Sequence, residues 1–306
     1  MKKWLVRLLI IIIGLPLLLV LIVGAAYLLS NRTNGTLESS GEPRRYLLYV
    51  PESYDPSTPT PLVISIHGYA EWPAHQMQIS QWNDLADQEG FIVVYPMGTD
   101  FPLRWRAYGS AGSENDPMLE VTFISALIDQ LSAEYNIDPR RIYANGLSNG
   151  GGMSFTLACM LSDRIAAIGG VSGAYLLPWE ACNPERAVPA VIFHGTGDEI
   201  VPYLGGPSHA FNIPFPNIPE WVDALAQHNG CMGEKGELPE NGDVSGIQYT
   251  DCAADVIFYT IAGGGHGWPG GEPIPEWIVG YTSMDIDATQ VMWEFFMQHP
   301  LEEPGE

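Results

Sequence analysis

The most informative part of the chain is RIYANGLSNGGG, residues 141–152. It begins with a short apolar run, residues 141–144, which predicts a strand, and it leads into residues 153–160, which predict a helix. Between them Gly146 and Gly150 flank Ser148, and such glycines permit a strained turn that lifts a serine hydroxyl above a sheet. We therefore interpret Ser148 as a nucleophile. The alternatives are a glycine-lined structural turn and a phosphate loop, and the second fails because no Gly-Lys-Ser/Thr follows.

On both sides of this stretch, short apolar runs alternate with amphipathic segments, which is typical of an α/β fold with a mainly parallel sheet. The predicted strands are residues 46–50, 62–66, 91–95, 141–144, 166–169, 190–193 and 256–261, and the apolar stripes of predicted helices lie in 121–131, 221–225 and 287–298. One domain over residues 42–301 accounts for this pattern. Two long loops, 103–117 and 204–219, are candidates for a substrate site, although ordinary surface loops would look the same.

A serine hydroxyl needs a base to take its proton and a carboxylate to orient that base. Asp198 follows the predicted strand 190–193 and lies 50 residues after Ser148, and His266 follows strand 256–261 on a glycine-rich loop 68 residues later. The chain order of serine, acid and histidine is therefore the one expected for a nucleophile elbow of this kind. We predict that Asp198 and His266 complete the triad, with Glu199 as the alternative acid.

The anionic intermediate of acyl transfer needs backbone N–H donors. The segment His67-Gly68-Tyr69 follows strand 62–66, so we assign the donors to Tyr69 and Asn149 and interpret His67 as structural. His194, at the end of a predicted strand, is interpreted as a packed residue.

Composition excludes two classes of protein. The 306 residues include 36 Asp and Glu against 13 Lys and Arg, a net charge of -23, yet 46% of the residues are hydrophobic. That hydrophobic content excludes disorder, and the acidic balance argues against binding nucleic acid, whose phosphates require basic partners.

The amino-terminal segment, residues 1–30, carries Lys2, Lys3 and Arg7 followed by 22 uncharged residues, 8–29. As a helix this run would reach roughly 33 Å, enough to cross a bilayer core. We predict a transmembrane anchor or, alternatively, a cleaved signal peptide, followed by a linker at 31–41. Either form places the rest of the chain on the extracellular or periplasmic side, anchored if the segment is uncleaved and secreted if it is cleaved.

Export makes the four cysteines, Cys159, Cys182, Cys231 and Cys252, candidates for disulfides. Four cysteines allow three connectivities, and the residues alone leave all three open. A metal site is disfavoured because no Cys-x-x-Cys or Cys-x-x-His pair occurs, and no organic cofactor is implied.

Several motifs together resemble the extracellular esterases that include polyhydroxybutyrate depolymerases and feruloyl esterases, carbohydrate esterase family one. The matching segments are LVISIHG at 62–68, GFIVVYP at 90–96, PRRIYANGLSNGGG at 139–152, FHGTGDEIVPY at 193–203, NGC at 229–231 and GGGHGWPG at 263–270. The resemblance implies an α/β-hydrolase fold, a Ser148, Asp198 and His266 triad, and a bridge between Cys231 and Cys252 that leaves Cys159 for Cys182. Two segments depart from the family pattern at the border of the expected acyl pocket. Residues 120–123 read EVTF where members commonly have Asp-Val-Gly-Phe, and the loop near Trp105 lacks the usual cysteines.

These features predict an exported serine hydrolase that cleaves hydroxyalkanoate, feruloyl or acetyl-polysaccharide esters, some of them polymeric, through an acyl-enzyme. Trp105, Tyr108 and Trp268 are expected to contact the substrate, because aromatic rings offer apolar faces, although ordinary packing is an equal alternative. The competing functions are a serine peptidase on the same fold and a binding module that keeps the fold without catalysis.

Overall fold

The computed structural model describes residues 14, 17–18, 32–106, 116–208 and 210–302. The predicted membrane segment therefore lies almost entirely outside the described residues, as does Tyr108. Within the described ranges no helix is both long enough and apolar enough to cross a bilayer.

The described strands form a single sheet in the order β1-β2-β4-β3-β5-β6-β7-β10-β9-β8. Their bounds are β1 Gly35–Ser39, β2 Glu42–Tyr49, β3 Thr60–Ile66, β4 Ile92–Pro96, β5 Ile137–Leu147, β6 Ala167–Val171, β7 Ala190–Gly195, β8 Lys235–Asn241, β9 Val244–Tyr249 and β10 Val256–Ile261. The six strands from β4 through β10 in this order pair in parallel, and the strands at both ends of the sheet pair antiparallel.

The central strands are buried on both faces. Every residue of β3, β4, β6 and β7 is buried, which explains why these segments are short, almost uninterrupted apolar runs. The helices that cover them are α1 Pro73–Ser80, α2 Trp82–Glu89, α3 Pro117–Glu134, α4 Asn149–Met160, α5 Ile218–His228, α6 Glu276–Val279 and α7 Ala288–Gln298. One hydrophobic core packs α3, α4 and α5 on one face of the sheet, and a second packs α2 and α7 on the other. The predicted α/β-hydrolase fold is confirmed.

The prediction of a linker at residues 31–41 is wrong over β1. This strand pairs antiparallel with β2, and its exposure alternates along the chain because one side faces solvent at the edge of the sheet. The space above Gly35 is filled by the ring of Tyr46, since a Cβ there would lie 2.1 Å from that ring. Polar residues on an exposed edge strand look like a linker in the sequence. The hairpin of β8 and β9, at the opposite edge, escaped prediction for the same reason.

A buried ion pair links β2 to α3. The Arg44 guanidinium donates to Glu120 Oε2 at 2.6 Å, and both side chains are almost fully buried. The same guanidinium lies 3.9 Å from the centre of the Phe123 ring, and Thr99 donates its hydroxyl to Glu120 Oε1. Several partners therefore compensate two charges that water does not reach.

Two disulfides, Cys159 to Cys182 and Cys231 to Cys252, are the pairs that the family resemblance implied. Both pack on the face of the sheet covered by α3, α4 and α5. Disulfides are typical of proteins that fold in an oxidising compartment.

Candidate active site

The turn at Ser148 joins β5, which ends at Leu147, directly to α4, which begins at Asn149. Ser148 itself has a positive φ of 57° with ψ of -119°, a backbone conformation that costs a non-glycine residue energy. Hydrogen bonds on both sides compensate this strain. Its N–H donates to Val171 O at 2.9 Å, and its carbonyl accepts from Gly152 N and Ala174 N at 3.0 and 2.9 Å.

The neighbouring glycines provide space. A Cβ at Gly150 would lie 2.1 Å from the carbonyl oxygen of Ile66, and one at Gly146 would lie 2.5 Å from the backbone of Gly150. A larger residue at either place would push β5 and α4 away from the end of β3. The residue with the strained backbone conformation is therefore Ser148 itself. The two glycines allow the backbone to pack closely around it.

Asp198 and His266 are in direct contact. Asp198 Oδ2 lies 2.8 Å from His266 Nδ1, and both residues are about 95% buried. The other carboxylate oxygen accepts from the backbone N–H groups of Ile200 and Val201 at 2.9 and 2.8 Å. The acid that contacts His266 is therefore Asp198. The alternative acid, Glu199, is exposed and lines a separate groove.

The charges of this pair stabilise one another. Burial favours the neutral carboxyl, but the charge of His266 and the hydrogen bonds of His194 and His266 hold the pKa of Asp198 well below its usual range. Burial also lowers the pKa of His266, but the charge and hydrogen bond of Asp198 raise that pKa above its ordinary value. The Nε2 atom of His194 lies 3.4 Å from Asp198 Oδ2 and 2.9 Å from the carbonyl oxygen of Val201. His194 therefore helps to hold the loop that carries Asp198.

The three predicted triad residues lie at one edge of the sheet. Ser148 follows β5, Asp198 follows β7 and His266 follows β10, and these strands belong to the parallel part of the sheet, whose carboxyl ends meet at a common edge. Among the described residues the Ser148 hydroxyl has no hydrogen-bond partner.

The segment after β3 is held by His67. Its Nδ1 lies 2.7 Å from Gly68 O, and its Nε2 accepts from the N–H of Gly98 at 2.9 Å, so Nδ1 carries the proton. Burial lowers the pKa of His67 to about 4, and the ring is therefore neutral at ordinary pH. This matches the structural role expected for His67. Tyr69, one of the two predicted oxyanion donors, lies two residues after His67 and lines the same cleft as Ser148 and Asn149.

Trp105 and Trp268 do not lie on the cleft, so the prediction that they contact substrate is wrong in this structure. Trp105 is fully buried and donates its ring N–H to the carbonyl of His67 at 3.0 Å, while its backbone N–H donates to Asn149 Oδ1 at 2.7 Å. It connects the two segments that carry the predicted oxyanion donors. Trp268 is buried in the second core, where its ring N–H donates to Thr289.

A cleft of about 290 Å³ opens beside Ser148. Its walls are mostly apolar and come from the segment after β6 and from the proline-rich loop 204–219, chiefly Leu176, Phe211, Ile213 and Phe215. Phe211 packs edge-on against Tyr69 with ring centres 5.4 Å apart. The sequence indicated this loop as a candidate substrate loop, but it did not indicate which of its residues face the serine.

The departure from the family pattern at residues 120–123 was expected to border the acyl pocket. At Glu120 this expectation is wrong, because Glu120 does not line the cleft. Its carboxylate is occupied by Arg44 beneath α3.

Glu71 is a site residue that the sequence analysis missed. Its Oε2 accepts from the N–H of Gly68 at 2.8 Å, and its Oε1 lies 3.4 Å from His75 Nδ1. The only signal in the sequence is that Glu71 follows Gly68 by three residues in a loop, a spacing at which a carboxylate can accept from the glycine N–H.

Metal ligands are not grouped in the part of the chain that the structure describes, where no three His, Cys, Asp or Glu side chains are arranged to hold an ion.

Comparisons with known proteins identify relatives of this chain. The sequence model of the family described as "Esterase PHB depolymerase" matches residues 44–187. "Probable feruloyl esterase C" of Aspergillus niger is 29% identical over 276 residues, which cover 86% of this chain and 87% of the relative. "Feruloyl esterase B" of Piromyces equi is 32% identical over 240 residues, 73% of this chain and 42% of the relative.

A third relative, the "Bifunctional acetylxylan esterase/xylanase XynS20E" of Neocallimastix patriciarum, is 33% identical over 170 residues, 56% of this chain. The chain spans only about a quarter of that protein's length, 24%.

Two solved structures share the fold. The acetyl xylan esterase from Aspergillus awamori superposes with a TM-score of 0.57 at 16% identity, over 83% of this chain and 94% of that one. A thermostable esterase superposes with the same score of 0.57 at 19% identity, over 87% of this chain and 62% of the other. The chain is therefore similar to the Esterase PHB depolymerase family over residues 44–187, and it shares its fold with two esterases of known structure.

Proposed function

We propose that this protein hydrolyses carboxylic esters through an acyl-enzyme on Ser148, with His266 as general base and Asp198 as its orienting acid. The observation that carries the proposal is the contact of 2.8 Å between buried Asp198 and His266, at the sheet edge where Ser148 is held in a strained turn. This arrangement supports the proposal, because serine acyl transfer needs a nucleophile, a base and a carboxylate that orients the base.

The steps follow from these positions. His266 accepts the Ser148 proton as the oxygen attacks the ester carbonyl, and Asp198 stabilises the imidazolium that forms. The N–H groups of Tyr69 and Asn149 receive the charge on the carbonyl oxygen. Asn149 is the first residue of α4, so its N–H has no partner within the helix. His266 then protonates the leaving alcohol, and water releases the acid by the same route in reverse.

The acyl group that we propose is neutral and larger than acetyl. The phenyl and aliphatic walls of the cleft would bury such a group, whereas an acetyl group would leave most of the 290 Å³ unfilled. Feruloyl and hydroxyalkanoate esters meet this description, and relatives named as feruloyl esterases make them the first substrates to test.

The deciding experiment replaces the nucleophile. Ser148→Ala should lower the hydrolysis of p-nitrophenyl butyrate by at least about 10³-fold and abolish labelling by a fluorophosphonate. Ser154→Ala is the matched control, because this serine lies six residues further along the chain, within α4, and donates to Gly150 O away from the cleft. Undiminished turnover in Ser148→Ala would refute the proposal.

A substrate panel separates the remaining alternatives. Methyl ferulate, a hydroxybutyrate oligomer and acetylated xylan distinguish the esters, and turnover of a peptide amide in preference to them would indicate a peptidase. A folded protein that neither turns over esters nor takes the label would be a binding module.

We also propose that the chain is exported and that residues 1–30 anchor it to a membrane. The two disulfides support export. Fractionation should find the protein with membranes and retaining its first residues. A soluble mature form that begins near residue 27 would show a cleaved signal peptide instead.

A further inference from the structure

A second carboxylate lies beside the nucleophile. A Cβ built on Gly68 would lie 2.8 Å from Glu71 Oε2 and 3.4 Å from Ser148 Cβ, so the carboxylate oxygen is within about 6 Å of the serine side chain. The Glu71 side chain is about four-fifths buried. A charge held this close to a reacting centre and largely out of water acts strongly on groups that change charge there.

The carboxylate is fixed in place. The Gly68 N–H donates to Oε2 at 2.8 Å, and His75 lies 3.4 Å from Oε1. Although burial favours the neutral acid, hydrogen bonds of His75 and Gly68 and the charge of His75 keep the pKa of Glu71 below its ordinary value, so Glu71 is an anion at neutral pH. Because Gly68 N–H is already occupied, Tyr69 supplies the free donor on this segment.

We propose that Glu71 is a positioning residue of the catalytic site, whose fixed negative charge acts with Asp198 to stabilise the imidazolium form of His266. The proposal rests on the triad proposed above. Asp198 contacts the histidine on its Nδ1 side, and Glu71 extends the negative field toward the side where serine and substrate meet. Each proton that His266 takes from Ser148 would then be stabilised by two anions.

The charged groups near this histidine include a cation, Arg104, which lines the cleft with Ser148 and lies 3.1 Å from Asp100. Asp198 and Glu71 act on His266, His194 lies behind Asp198, His75 and His67 act on Glu71, and Glu272 acts on His75. His67 is neutral, and Glu71 itself raises the pKa of His75, opposing the effect of burial on that ring. The pKa of His75 lies above its ordinary value, so in the acid range the charge of His75 offsets part of the field of Glu71, and the effect of Glu71 on His266 is strongest where His75 is neutral.

The test is the pH profile of kcat/KM for p-nitrophenyl butyrate in Glu71→Gln. Glutamine keeps an oxygen that accepts from Gly68 and removes the charge, so His266 should lose its proton more easily. The acid limb, which reports the base in its neutral form, should move to lower pH by on the order of one unit. Glu89→Gln changes an exposed carboxylate at the end of α2, close to the amino end of β4 and therefore at the opposite end of the parallel strands from the triad; it is the matched control and should leave the limb unchanged.

An unchanged limb, or one that moves to higher pH, in an active Glu71→Gln enzyme would overturn the proposal while leaving the Ser148 assignment intact.

If Glu71→Gln is inactive, NMR titration of His266 in the Ser148→Ala background, with and without Glu71→Gln, gives the same answer without turnover. If Glu71→Gln does not fold, Glu71→Asp, which draws the charge back by one methylene, should move the limb in the same direction by less, and an unmoved limb there would also refute the idea.

Discussion

At the scale of single residues, Asp198 is bound on every side. One oxygen contacts His266 and is approached by His194, and the other receives two backbone N–H groups from its own loop. The same carboxylate therefore sets the shape of the loop and the proton affinity of the base. These two functions can be separated by replacing it with an amide, because an asparagine oxygen can still accept from the loop.

We expect Asp198→Asn to lower kcat for p-nitrophenyl butyrate by about 10⁴-fold, because the amide cannot stabilise the imidazolium and favours the wrong tautomer of His266. Steady-state kinetics measure the loss, and circular dichroism checks that the fold is kept. Glu199→Gln, which changes the neighbouring carboxylate, should retain kcat to within about twofold. Equal losses in the two variants would contradict the assignment of Asp198.

At the scale of elements, loop 204–219 forms much of the acyl wall. Its neck is closed by paired backbone hydrogen bonds between Gly206 and Phe215, and Phe211 extends from it to the ring of Tyr69. Prolines keep the described residues before Ile218, where α5 begins, from becoming helix or strand, and the neck and the aromatic contact hold Phe211 at the cleft beside the serine.

We expect Phe211→Ala to raise KM for an aromatic or butyryl ester by roughly tenfold and to change KM for the acetyl ester little, because a phenyl wall is worth about 1–3 kcal/mol only to an acyl group that reaches it. Steady-state kinetics on p-nitrophenyl butyrate, p-nitrophenyl acetate and methyl ferulate measure the split. Phe101→Ala removes a ring that is 88% exposed and should change neither value. Equal effects on all three esters would show that Phe211 does not line the acyl site.

The elements that were predicted correctly are those whose signal lies in consecutive residues of one segment. The turn at Ser148 is encoded in twelve consecutive residues, and each buried strand is a continuous apolar run. The edge strands β1 and β8 have one or both faces in water, so their polar residues give no such signal. Trp105 and Glu71 could not be interpreted in this way, because the burial of one and the position of the other depend on how β3, the loop after β4 and α4 meet in space.

At the scale of the whole molecule, the sheet has two unequal faces. Both disulfides pack on the face covered by α3, α4 and α5, and the core on the other face contains no cysteine among its described residues. Cys231 and Cys252 enclose the β8 and β9 hairpin at the edge of the sheet, just before β10 leads to His266.

We expect the double variant Cys231→Ser, Cys252→Ser to lower the free energy of unfolding by about 3 kcal/mol, because the bridge closes a loop of 21 residues in the unfolded chain. Urea unfolding followed by tryptophan fluorescence measures the loss. Esterase activity at 25 °C should be kept, since neither cysteine lines the cleft. A variant as stable as the parent would mean that the unfolded chain is not constrained by this bridge, and one that is fully folded but inactive would mean that the hairpin positions His266.

The buried pair of Arg44 and Glu120 has a consequence for how the sequence can change over evolutionary time. Replacing either residue alone leaves a bare charge in the interior, at a cost of about 3–5 kcal/mol, whereas replacing both by well-packed apolar residues can be neutral. The single-step intermediates would consume much of the stability of an ordinary domain. The two positions, 76 residues apart in the chain, should therefore be inherited as a unit and exchanged together or not at all.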